Sequence, residues 1–85
     1  MTYKIDLSRE SDVTVVTVSG CLNAKSVHEL DRICKETIGI VRIDVGSVTG
    51  FEAECIEFLK EIKEKGFILS GVSPYMSLLI AEHAA

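Results

Sequence analysis

Apolar Tyr3, Ile5 and Leu7 alternate with Lys4 and Asp6, the period-two pattern of a strand with one face in water. Residues 8–12 are polar and predict a turn. Val13–Val18 is a dense β-branched run, suited to a strand covered on much of both faces. So short a link between the two strands makes an antiparallel hairpin the simplest connection. Gly20 is expected to break the second strand.

The period then changes. Val27, Leu30, Ile33, Cys34 and Ile38 recur at helical spacing, predicting a helix over 24–38 with polar residues on its other side. Asn23 is its candidate N-cap, Ser26 with Glu29 offers a rival capping box, and Gly39 is a natural stop. Ile40–Val45 reads as a third strand. A short polar loop follows it, then a second helix over 53–65 with Cys55, Phe58, Leu59 and Ile62 on the inner face. Gly66 ends that helix after a basic-leaning last turn. Residues 67–69 predict a fourth strand. Ser73 as cap and Pro74 at the first helical position open a third helix, with Tyr75, Met76, Leu78 and Leu79 expected to supply its core contacts.

The order ββαβαβα places the chain in the α/β class as a single domain over residues 1–85. It implies a mixed, mostly parallel four-stranded sheet, with right-handed crossovers putting the helices on one face. Eighty-five residues support one core and no second. The 47% hydrophobic and 26% charged content is that of an ordered globular chain.

Charge and cysteine usage narrow the function. Nine Lys and Arg against thirteen Asp and Glu give a net charge of −4, which leaves no basic footprint for a nucleic-acid partner. No apolar run approaches the roughly 20 residues that span a bilayer, and the N-terminus alternates like a strand rather than a signal peptide. No membrane insertion and a cytoplasmic location are therefore expected. Cys21, Cys34 and Cys55 are odd in number and widely spaced, so neither a disulfide framework nor a metal site is expected, nor any cofactor. Cys34, on the apolar stripe, reads as a small packing residue.

The candidate chemistry gathers where the third strand passes into the second helix. In open α/β sheets this junction lies at the carboxyl end of a strand, where ligands and partners dock. Glu52, Glu54 and Glu57 surround it. They read as an acidic knob offered to a partner, and equally as acids that complement a helix dipole, with Thr49 and Glu52 a capping box. Catalysis is not expected. Paired acids need environments that separate their pKa values, the candidate bases His28 and His83 lie on other helices, and no nucleophile motif is present. Gly46 and Gly50 flank Ser47-Val48-Thr49 without the ending of a phosphate-binding loop. Cys55, near a helix start, reads as a redox sensor or as a packing residue, its acidic neighbours opposing a lowered thiol pKa.

Three segments carry a resemblance. Val15-Val16-Thr17-Val18-Ser19-Gly20-Cys21-Leu22-Asn23, Ile43-Asp44-Val45-Gly46-Ser47-Val48 and the stretch from Gly66 to Pro74 are similar, in this order and spacing, to the motifs of STAS domains. These are the sulfate-transporter and anti-sigma-factor-antagonist family. The likeness runs from the first strand to Ile80, in a short form lacking the family's last strand and helix. It implies a non-catalytic regulatory module for protein–protein contact, resembling an anti-sigma factor antagonist of bacterial signalling. The partner implied is an anti-sigma factor of the kinase-like kind. Docking would run through Gly50, Phe51, Glu52, Ala53 and Glu54, Glu57 on the adjoining helix, and Asn23.

In the family's switch loop an Asp precedes a Ser or Thr, then a small residue and Gly. Here those positions hold Glu52, Ala53, Glu54 and Cys55. Ala53 has no hydroxyl to accept a phosphoryl group, so the contact implied is constitutive or switched elsewhere. The short form is also similar to the STAS-like cytoplasmic subunit of phospholipid-trafficking ABC transporters, the alternative reading. A small-ligand or nucleotide sensor is a third.

Overall fold

Strands on both sides of the first turn run further than the alternation alone suggests. In the computed structural model, which describes residues 2–83 except the His83 side chain, β1 (Tyr3–Glu10) pairs antiparallel along its whole length with β2 (Val13–Leu22), from Tyr3 opposite Gly20 to Glu10 opposite Val13. Only Ser11 and Asp12 make the turn, so the polar run 8–12 is mostly strand. Serine, arginine and glutamate are tolerated there because this is an edge strand with a solvated face, and charge on an edge discourages pairing with other chains.

The remaining elements are α1 (Ala24–Glu36), β3 (Ile40–Phe51), α2 (Glu54–Glu64), β4 (Ile68–Ser70) and α3 (Pro74–His83). Spatial order in the sheet is β1-β2-β3-β4, with β2, β3 and β4 mutually parallel. The two crossovers step in the same direction, so right-handedness sets α1 and α2 on one face and makes them parallel to each other. Val16, Val18, Leu22, Val41, Ile43 and Val45 from the sheet meet Leu30, Ile56, Leu59, Ile62, Met76 and Ile80 from the helices in one core. The expected ββαβαβα mixed sheet is the fold observed.

Gly20 does not break β2. It takes a φ of +85°, a left-handed conformation open to glycine, and sits where the β2–β3 register shifts. A β-carbon there would lie 2.5 Å from the Thr2 carbonyl oxygen. Pairing with β3 resumes beyond the shift, Gly20 opposite Val48, Cys21 opposite Gly50 and Leu22 opposite Phe51. The polar segment after Val45 is therefore a bulged continuation of β3 rather than a loop.

Two helices also differ from expectation. Asn23 wins the start of α1: its side chain accepts from the Ser26 N–H at 3.0 Å, and the Ser26 hydroxyl accepts from the Asn23 N–H at 2.8 Å. Glu29 takes no part, because its carboxylate accepts the Tyr3 hydroxyl at 2.8 Å. At the other end Thr37 turns to extended backbone and its hydroxyl bonds the Ile33 carbonyl, so Ile38 leaves the apolar stripe and stands 93% exposed. In α3, capped by Ser73 as expected, Met76 and Ile80 are buried while Tyr75 and Leu78 point outward at 64% and 57% exposure. Apolar residues on every side of that helix gave the sequence no phase to read.

Candidate functional site: the acidic strand–helix junction

The end of β2 and the start of α2 build the junction together. Leu22 is fully buried, and its backbone carbonyl accepts the Glu52 N–H at 3.0 Å and the Cys55 thiol at 3.3 Å. The Cys55 N–H in turn donates to the Glu52 carbonyl at 3.0 Å. The turn 52–55 is thus pinned from the core side by one buried backbone oxygen. Cys55 and Ile56 face inward, while Glu52, Ala53, Glu54 and Glu57 are all exposed.

Ala53 is the N-cap of α2 in helical conformation, and no side chain caps the helix. The expected box of Thr49 with Glu52 does not form, because Thr49 lies on the bulged strand and its hydroxyl donates to the Gly20 carbonyl at 3.4 Å. In place of a side-chain cap, the Cys55 N–H bonds the Glu52 carbonyl and the Ile56 N–H the Ala53 carbonyl at 3.2 Å, while Glu54 and Glu57 in the first turn complement the helix dipole.

The remaining site residues fall into two groups. Gly50 and Phe51 belong to the sheet, half-buried, with the Phe51 ring 6.1 Å from that of Tyr75 at a 38° tilt. Asn23 lies next to Leu22, and its side-chain oxygen is committed to its own helix. The structure therefore brings Glu52, Ala53, Glu54 and Glu57 together as one solvent-facing corner, and assigns Asn23, Gly50 and Phe51 supporting positions around it. Tyr75 beside Phe51 escaped the sequence reading, since only the fold brings the two aromatics together.

All three thiols are buried and free. Burial, foremost, pushes the Cys55 thiol above its ordinary range, and the Glu52 and Glu54 carboxylates add to this. Cys34 is likewise pushed up by burial first and by Asp31 second. A raised pKa and a buried sulfur fit packing rather than redox sensing. Tyr3 is also raised, chiefly because its hydroxyl donates to the Glu29 carboxylate. Among the described residues no cluster of His, Cys, Asp or Glu is arranged to hold a metal ion, and no helix is long and apolar enough to cross a membrane. His28 is exposed on α1; the His83 side chain lies outside the described residues.

A four-stranded mixed sheet with helices on one face defines a STAS-like α/β fold. Among solved structures, a serine-to-glutamate variant of Moorella thermoacetica RsbS, a STAS-domain anti-sigma factor antagonist, shares it with a TM-score of 0.69. The match covers 96% of this chain and 79% of that one, at 18% sequence identity. No family model matches the sequence, and the comparison with curated proteins finds no match.

Proposed function

We propose that this chain is a non-catalytic regulatory module that docks a protein partner through the corner at Glu52, Ala53, Glu54 and Glu57, in the manner of an anti-sigma factor antagonist. The observation that carries the reading is the division of labour at the junction. Leu22 and Cys55 fix the turn from inside the core, while an acidic, uncapped helix start is left in water at the carboxyl edge of a parallel sheet. The shared fold with an antagonist supports it. So does the site's chemistry: a hydrogen-bonded turn, exposed acids and buried thiols suit recognition better than turnover.

Ala53 gives the module its particular character. With no hydroxyl at that position, phosphorylation there cannot release the partner, so engagement is constitutive or governed elsewhere. Exposed Ser47 and Thr49 carry the nearest hydroxyls along the chain. Incubation with a partner kinase and ATP is expected to leave Ser47 and Thr49 unmodified if engagement is constitutive; phosphate found at either residue would contradict constitutive engagement.

The test of docking is quantitative affinity purification from the native host with the wild-type chain and Glu54→Lys. Reversing an exposed charge at an interface sets like charges against each other, which slows association and costs affinity. A partner specific to the wild type, depleted at least tenfold with Glu54→Lys, is expected. Equal recovery would remove the corner from the interface. A kinase-like anti-sigma factor among the captured proteins supports the antagonist reading, and an ABC ATPase the transporter-subunit alternative.

A further inference from the structure

The acidic corner is one mouth of a longer feature. Between α1 and α2 lies an open groove of about 710 Å³. Val27 and Phe58 line it, both half-buried and packed against the core from its rim. Because the two helices are parallel, their matching turns set charges across the groove in sequence. Glu52 and Glu54 stand at the N-terminal mouth, His28 and Glu61 line the middle, Asp31 is paired with Lys35 at 2.9 Å, and Lys65 stands at the far end. The apolar floor thus lies between an acidic mouth and an end that carries Lys65.

We infer that this groove seats an amphipathic α-helix of the protein partner, its apolar stripe on Val27 and Phe58 and its cationic end against Glu52 and Glu54. The inference rests on the docking reading above and names the kind of surface the partner presents. Charge complementarity selects the occupant: an anionic ligand meets carboxylates at the entrance, while a helix basic at one end matches the gradient in a single orientation. The walls select its secondary structure. Both are helices whose backbone groups bond internally, so they offer an extended peptide no ladder to join, whereas a helix satisfies its own backbone. A groove as long as α2, on the order of 16 Å at 1.5 Å per residue, accommodates about three helical turns.

A phage-displayed library of 14-residue helical peptides, randomised at every position and selected against the full chain, tests this. The selected peptide is then titrated into isotopically labelled protein and followed by NMR. Expected are peptides with apolar residues at i, i+3 or i+4, and i+7, with Lys or Arg enriched at one end. They shift the amides of Val27, Asp31, Phe58 and Glu61, and their affinity falls at least tenfold with Glu61→Lys. The substitution is on an exposed face, so folding is preserved; unchanged dispersion of the remaining resonances verifies it. Selection of acidic peptides, or of no saturable binder, would overturn the inference. Binders that shift residues 52–54 but spare Val27 and Phe58 would remove the groove and leave the docking reading standing. Binders on neither surface would remove both.

Discussion

The carbonyl oxygen of Leu22 receives the Glu52 amide and the Cys55 thiol, and that single acceptor holds the exposed corner in place. One residue further, Asn23 and Ser26 satisfy each other's backbone N–H groups at the start of α1. Asn23→Ala removes one half of this box and is expected to cost about 1 kcal/mol in urea denaturation, the usual worth of such a cap. The buried thiols give a pH dependence of definite sign. Burial favours the neutral form, so the folded pKa of Cys34 and of Cys55 lies above the unfolded one. Their stabilisation is complete below the unfolded thiol value of about 8.5 and is lost as pH rises through the folded values. Urea midpoints measured from pH 7 to pH 10 should therefore fall at the alkaline end, less steeply in Cys34→Ala when each protein is compared with its own neutral-pH midpoint. Alkylation at pH 7.5 should be slow in native protein and complete on unfolding.

At the scale of elements, β2 and β3 decide where the site lies. Gly20 at φ +85° lets β2 pass the register shift, and β3 follows it as far as Phe51. Gly20→Ala would force a β-carbon towards the Thr2 carbonyl in a strained conformation, and is expected to destabilise by about 1–3 kcal/mol, read from the thermal midpoint. Sequence periodicity located every strand and helix, because each has a clear apolar phase or a cap at its start. It placed the end of β3 six residues early, since Gly46-Ser47-Val48-Thr49-Gly50 carries turn composition and the ladder that holds it extended comes from a distant strand. It also turned Tyr75 and Leu78 inward, because α3 has apolar residues all round and only packing against α2 chooses a side. Of the candidate site, the exposure of Glu52, Ala53, Glu54 and Glu57 was legible from their position at the start of an amphipathic helix. The groove was not, since Val27 and Phe58 belong to two stripes that look like ordinary core.

For the whole molecule, one sheet face carries all three helices and the charged edge strand β1 closes one side. Leu59 sits at the centre of the core with no exposed surface. Leu59→Ala is expected to cost about 2–5 kcal/mol, a large share of what a domain of this size has, and to leave the chain largely unfolded near 37 °C by circular dichroism. On the proposed function, such a scaffold keeps its interior for stability and its carboxyl-terminal sheet edge for contact. Hydrogen exchange of the chain bound to its native partner, against the free chain, measures that contact directly. Protection concentrated over residues 52–58 and the first turns of α1, with β1 unchanged, is the predicted footprint; protection confined to β1 or β4, with 52–58 exchanging as in the free protein, would contradict the account.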